Sequence, residues 1–222
     1  MLMNKRIVDL TRRLVPGEEP FTCDVRTFFV EELLPQFHRR PDDWYILQEW
    51  KLSSHVGTHV ESPYHHLREG TNVAGLDLGV LIGDAVVLDF TGRRPDEEIT
   101  AEDLAALDME IRPNDIVLVQ TGYDRDYGKA DYGRPYLSAD LVDLFVRLPV
   151  SCLGIDASGI EKYRAESQPS HIKLFSAGIP IIEELTNLGS LPRGRFTFIG
   201  LPLRIVGADA SPIRAIALVE EE

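Results

Sequence analysis

The 222-residue chain carries 23 Lys and Arg against 36 Asp and Glu, a formal net charge of −13 at pH 7, and is 44% hydrophobic and 27% charged. That balance belongs to a folded, core-forming protein and excludes wholesale disorder. The acidic surplus, relieved only by the isolated pairs Arg12-Arg13, Arg39-Arg40 and Arg93-Arg94, argues against a nucleic-acid partner, and no window approaches the about eighteen apolar residues of a membrane span.

In chain order, RIVDL (6–10) reads as a strand and RTFFVEELLPQF (26–37) as a helix. DAVVLDF (84–90) is a second strand, followed by a helix after Thr100 with Asp103 as its capping-box partner. DIVLVQT (115–121) is a strand leading into TGYDRDYGKADYGRPY (121–136), a patternless stretch too long for a simple connection and so a candidate functional loop. LSADLVDLFVRL (137–148) is helical, SCLGID (151–156) a strand, and HIKLFSAG (171–178) a helix ending at Gly178. FTFIGLP (196–202) and RAIALVE (214–220) are strands. The alternation, without a linker or repeat, predicts one α/β domain over residues 1–222. Cys23 and Cys152 are far apart, build no disulfide framework, and read as small buried hydrophobes of a reducing compartment. With no signal-peptide core in MLMNKRIVDL, a cytoplasmic protein is expected.

The chain holds six histidines, and four of them fall with Glu61 in HVGTHVESPYHH (55–66), where composition would place roughly a third of one. His55 and His59 would share a helix face, as in the HExxH metalloproteases. Gly57, Thr58 and Pro63 oppose a helix, however, and a helix would turn Glu61 roughly 200° away from His59. A strand lines up His55, Gly57, His59, Glu61, Pro63 and His65 on one face. If straight, it would hold the Cα atoms of His55 and His59 about 13 Å apart, the limit for two imidazoles gripping one ion through bonds of about 2.0 Å. A bend at Gly57 removes the difficulty, because glycine accepts angles its neighbours resist. The bent segment points two histidines and a carboxylate at one centre, with His65 a little further along. Such donors suit Zn2+, Mn2+ or Fe2+, and with neither cysteine nearby they do not describe a thiolate-bound structural zinc. A lone histidine here would more simply cap a loop; the constellation argues for an ion.

The pattern His55-x-Gly57-Thr58-His59-x-Glu61-x-Pro63-x-His65 resembles the HxGTHxDxPxH signature of the cyclase-like metal-dependent hydrolases, the family of bacterial kynurenine formamidase and isatin hydrolase. VDLTRRLVPGEEPF (8–21) resembles the family's opening strand and turn, VLVQTG (117–122) its central strand, and GIDASGIE (154–161) the segment before its second ligand group. SHIKLFSAGIPIIEELTNLGSLP (170–192) resembles the stretch in which a histidine is followed twelve residues later by a glutamate, here His171 and Glu183.

The resemblance implies an α/β domain with a central, partly barrel-like mixed sheet flanked by helices, of the swivelling β/β/α type. It implies that His55, His59 and Glu61 bind a first divalent metal, Zn2+ or alternatively Mn2+, while His171 and Glu183 complete the site and hold a second ion in two-metal relatives. His65 matches the family's proton donor and acceptor. The implied reaction is hydrolysis of a small-molecule amide, lactam or lactone by a metal-activated water, with His65 as general base and acid, in a homodimer or homotetramer. A catalytically idle metal-binding protein of the same fold is the alternative, and a purely structural zinc a third, which predicts that chelation unfolds the chain. His171 can also be read as an early residue of an amphipathic helix capped by Ser170. Glu184 competes with Glu183 for the acid role and is expected to be solvated; His66 is expected just outside the site, and Thr58 to orient a ligand. Asp124 and Asp156 read as turn or strand-end residues. Two departures stand out. Glu61 replaces the family's aspartate, and its extra methylene moves the ion by about an ångström or alters bridging, so the number of ions stays open. Leu14-Val15-Pro16-Gly17-Glu18 lacks the tryptophan that lies against the substrate in the formamidase branch. Tyr64, Trp44, Trp50 and the loop tyrosines are candidates for a pocket lining, or equally for core.

Overall fold

The computed structural model describes residues 5–129 and 133–220. After β1 (Lys5–Asp9) the chain forms a two-stranded antiparallel arm, β2 (Cys23–Phe29) against β3 (Ile46–Leu52). This corrects the helix expected over 26–37, where only the single turn α1 (Val30–Leu33) is helical. Thr27, Phe28 and Phe29 favour an extended chain, β3 offers a full ladder of partners, and Pro35 blocks continuation beyond Leu34.

There follow β4 (His59–Glu61), β5 (Ile82–Asp89), β6 (Glu98–Ile99), α2 (Ala101–Ala105), β7 (Ile116–Gln120) and β8 (Tyr136–Leu137). The chain ends with α3 (Ala139–Arg147), β9 (Cys152–Ile155), α4 (Pro169–Ser176), β10 (Ile181–Glu183), β11 (Phe196–Pro202) and β12 (Ala210–Glu220). The strands expected from apolar runs are all strands, and Thr100 and Asp103 form the expected capping box. Ser170 does not cap α4, since the helix begins at Pro169 and Gln168 holds the cap position; Gly178, at φ 76°, ends it as expected. Of the 121–136 stretch, residues 130–132 lie outside the described residues; Tyr123–Asp126 is a short 3-10 turn.

Among the described residues the main sheet has eight strands in the order β1-β12-β11-β5-β7-β9-β10-β4, and β12 also pairs with β4. The long β12 gives its first residues to β4 and its last to β1, so seven strands close into a ring and β1 extends it. Strands β5, β7, β9 and β10 run parallel, the other pairings antiparallel, making the sheet mixed. Alternation divides the core: Ile116 and Leu118 of β7 join Ala85, Cys152, Ile182, Val60 and Phe198 in one buried cluster. Val117 and Val119 join Leu141, Phe145, Leu174 and Phe175 of the covering helices in another. Burial on both faces explains why β7 reads as an unbroken apolar run. Free Cys23 and Cys152 are both buried, as expected.

Candidate metal centre

The site is built on β4 and β10. Val60 and Ile182 join the buried cluster to which every strand of the ring contributes, so His59, Glu61 and Glu183 project from the opposite face, and antiparallel pairing sets Glu183 against His59. Gly57, at φ 61°, supplies the bend. It carries His55 back over His59, leaving His55 Nδ1 3.1 Å from His59 Nε2. His65 closes the 3-10 turn Pro63–His65 and stands over His55 at 4.5 Å between ring centroids. His171 enters from the first turn of α4.

These side chains meet around Glu61. Its Oε1 lies 3.0 Å from His55 Nδ1, 3.5 Å from His59 Nε2 and 3.7 Å from His65 Nε2, while its Oε2 lies 3.4 Å from His171 Nε2. Glu183 spans the same gap, Oε2 at 3.9 Å from His59 Nε2 and Oε1 at 3.3 Å from His171 Nε2. All five sequence-predicted ligands and His65 are thus brought together, within a structure that groups His55, Glu61 and His65 on one side and His59, Glu61 and Glu183 on the other.

The residues fit a divalent cation. Each of three imidazoles has one ring nitrogen committed elsewhere: His55 Nε2 to Asp209 Oδ2 at 2.9 Å, His59 Nδ1 to Gly57 O at 2.8 Å, and His171 Nδ1 to Glu161 Oε2. With a cation in place of its second proton, each ring would donate through the tied nitrogen and offer a lone pair through the other, so His55 Nδ1, His59 Nε2 and His171 Nε2 would be the ligand atoms. The triangle of His55 Nδ1, His59 Nε2 and Glu61 Oε1 has edges of 3.1, 3.5 and 3.0 Å. Tetrahedral ligands bonded at about 2.0–2.1 Å stand about 3.3 Å apart. Glu61 Oε2, buried, has no hydrogen-bond partner.

The field of the site points the same way. Burial pulls the His171 pKa down, but Glu161, Glu183 and Glu61 outweigh it and take it up to about 12; at His55, Glu61 and Asp209 likewise overcome burial, to about 9. His59 is raised by Glu61 and Glu183 against the same burial, and Glu61, despite burial, is held well below the carboxylate range by His171, His55 and His59. A buried cluster this negative demands positive charge, which protons or a divalent cation can supply.

Glu184 departs from expectation. It is 3% exposed rather than solvated, at φ 58°, and burial pushes its carboxyl up to about 7 against the pull of Arg12, 3.5 Å away. With Phe21, Ser53, Ser158, His55, His59, His65 and Glu183 it lines a cavity of about 260 Å3. Thr58 makes no hydrogen bond to a ligand side chain; its hydroxyl donates to Glu184 O at 2.6 Å and accepts from Arg12 N at 2.9 Å, joining backbone beside Glu183 to the segment that follows the first strand. Trp44 and Trp50 are 77% and 68% exposed and, like Tyr64, do not line the cavity; Phe21 is its aromatic residue. The loop's Tyr127 does reach the bend, accepting from Gly57 N at 3.0 Å and donating to Glu19 at 2.8 Å. His66 packs on His171 and Phe175 outside the ligand groups, as expected. Asp124 takes Arg12 on its carbonyl, and Asp156 ends β9, both in structural roles.

Sequence reasoning missed Glu161 and Asp209, which hold His171 and His55. Glu161 closes the segment GIDASGIE, so a search for acids near the second histidine could have found it. Asp209 lies 154 positions from His55, and only the closure of β12 onto β4 brings them together.

A family model described as "Putative cyclase" matches residues 8–162. The kynurenine formamidase of Sphingopyxis alaskensis is 34% identical over 162 residues, covering 73% of this chain and 75% of that protein. A solved structure described as a potential metal-dependent hydrolase with cyclase activity superposes with a TM-score of 0.76 at 27% identity, over 98% of this chain and 100% of that one. An isatin hydrolase bound to the product analogue thioisatinate shares the fold, with a TM-score of 0.85 at 22% identity over 98% of this chain and 94% of that one.

Proposed function

Because the chain belongs to the cyclase family, we propose that it is a metal-dependent hydrolase that opens a small-molecule amide, lactam or lactone. The observation that carries this reading is the set of three imidazoles, His59 and His171 buried and His55 half-buried, each tied through one nitrogen and turned through the other onto Glu61 or Glu183. His55, His59, Glu61, His171 and Glu183 would hold the cation, Zn2+ or alternatively Mn2+. When bound, it supplies Lewis acidity, polarising a carbonyl and lowering the pKa of water toward about 7. His65 turns Nε2 to Glu61 at 3.7 Å while its other nitrogen is held by Asp209, which suits it to accept a proton from water and return it to the leaving nitrogen or oxygen. Ser53, Ser158 and Glu184 line the cavity as polar contacts, and Phe21 offers a ring face. The absence of the formamidases' tryptophan from Leu14-Val15-Pro16-Gly17-Glu18 weighs against kynurenine derivatives as substrates. The relatives named kynurenine formamidase support a C–N bond as the target.

We further propose that the enzyme works in the cytoplasm as a homodimer or homotetramer, in keeping with its free cysteines and with apolar residues such as Trp44 and Trp50 left in water. No helix among the described residues is long and apolar enough to cross a membrane.

The test is a panel of N-formyl aryl amines, cyclic imides and lactones offered to the metal-loaded protein and to His65→Ala. Turnover that falls by roughly 10²–10⁴-fold in the variant supports the reading. No turnover of any member, or turnover indifferent to His65, ends it; retained metal with tight ligand binding and no turnover marks instead a binding protein.

A further inference from the structure

His65 and His55 lean on one carboxylate oxygen. Asp209 Oδ2 lies 3.0 Å from His65 Nδ1 and 2.9 Å from His55 Nε2. The backbone that presents it is clamped to the site: Ser62, next to Glu61, donates both its N–H and its hydroxyl to Asp209 O, at 2.9 and 2.7 Å. The residue that follows, Ala210, pairs with Glu61 in the strand register. Asp209 therefore moves with β4.

Each ring stands between two carboxylates that only accept; for His65 the Asp209 contact is the shorter, 3.0 against 3.7 Å, so the neutral ring places its proton on Nδ1, and His55, at 2.9 and 3.0 Å, would do the same at Nε2 once its Nδ1 serves a cation. The other nitrogens, His55 Nδ1 and His65 Nε2, then face Glu61 Oε1 with lone pairs, at 3.0 and 3.7 Å. For His65 this arrangement has a chemical consequence. A ring with its proton on Nε2 would be a donor toward the cavity and unable to begin as a base. Held by Nδ1, the ring begins as a base, and when it takes a proton the positive charge lies against the Asp209 carboxylate.

We propose that Asp209 is the positioning residue for proton transfer: it fixes the tautomer and orientation of His65, compensates its charge once protonated, and through the same oxygen sets the ring of His55. This rests on the hydrolase reading of the site.

Two variants separate the parts of the claim. Asp209→Asn keeps an oxygen acceptor at the same place without the charge; Asp209→Ala removes both. Long-range 1H–15N spectra of the zinc-loaded full chain, labelled at histidine nitrogens, are expected to show His65 protonated at Nδ1 in the native protein and in Asp209→Asn, and at Nε2 in Asp209→Ala. Kinetics on a panel substrate are expected to show kcat reduced roughly 10²–10³-fold in Asp209→Ala, with KM within about threefold, and partly recovered in Asp209→Asn. Native His65 unprotonated at Nδ1 overturns the proposal, as does an Asp209→Ala protein that keeps the native tautomer and kcat. If Asp209→Ala does not fold, Asp209→Asn with a native kcat overturns the claim for the charge, and the native spectrum still decides the tautomer. The spectra need no turnover, so a native protein inert to the whole panel sinks the hydrolase reading while the tautomer is decided independently.

Discussion

Glu161 holds His171 by backbone and ring at once: its Oε1 accepts from the N–H groups of Ser170 and His171, at 2.9 and 3.0 Å, and its Oε2 accepts from His171 Nδ1. One buried carboxylate thus satisfies the free N–H groups at the start of α4 and fixes which nitrogen of His171 faces Glu183. Replacing it by alanine is expected to weaken zinc binding roughly 10–100-fold and to cost about 1–2 kcal/mol through the lost cap. Competition with a chromophoric chelator and urea unfolding measure the two effects. Unchanged zinc affinity would show that Glu161 serves the helix alone.

Chelation should remove activity without unfolding the chain. The apolar clusters that hold the ring of strands together contain none of the five candidate ligands, unlike the core of a zinc finger. Saturating metal at about 1,000 times its Kd should raise stability by about 4 kcal/mol, seen as an upward shift in Tm. Loss of far-UV circular dichroism on chelation would favour a structural metal instead. Elemental analysis of the metal-loaded protein counts the ions: Glu61 and Glu183 each reach from the His59 side to the His171 side, so two per chain are expected.

Two features oppose a side chain at Gly57, the backbone angle and, more weakly, a leucine end that would have to shift. Its φ of 61° is one that side-chain-bearing residues adopt reluctantly, and a Cβ there would meet Leu14 Cδ2 at 2.5 Å. Gly57→Ala is expected to destabilise by roughly 1–3 kcal/mol and to lower metal affinity by spreading His55 from His59. Urea unfolding and metal titration of the variant test this; a fully native affinity would mean the bend does not set the ligand distance.

How far this was legible in the sequence depends on the range of the interaction. The strands β5, β7 and β11 are long apolar runs, and Thr100 with Asp103 is a local cap, so period and spacing suffice for both. The bend at Gly57 also followed from local geometry. The β2–β3 arm did not, because FFVEEL satisfies a helical period, and only pairing with β3, some twenty residues on, decides for strand. Three-residue strands such as β10 have too few positions to show a period; they exist because β4 and β9 flank them. Glu184 beside Glu183 looks equally polar in sequence, and its burial is set by the left-handed backbone at φ 58° that turns it into the cavity. Asp209 had no local signal, since its role arises from ring closure.

Asp156 offers a test of the interior electrostatics away from the metal. At the end of β9 its Oδ1 accepts from Thr121 N and Oγ1, at 2.8 and 2.5 Å, and its Oδ2 from Gly122 N at 2.8 Å. Burial raises its carboxyl to about 6, from 3.8, against the downward pull of those bonds. Because the folded pKa lies above the unfolded one, the native state binds more protons in the interval between them. The contribution of Asp156 is therefore most favourable below about pH 4, declines as pH rises to about 6, and is constant above; a shift of about two units corresponds to roughly 3 kcal/mol. Asp156→Asn cannot titrate, although its amide sets a second donor against one of the backbone N–H groups and costs about 1–2 kcal/mol at every pH. Urea unfolding of both proteins from pH 4 to pH 7 should show the native chain losing stability relative to the variant across the lower part of that range and then running parallel to it. A difference that stays flat, or that grows in favour of the native chain as pH rises, would mean the three hydrogen bonds outweigh burial and hold the carboxylate ionised.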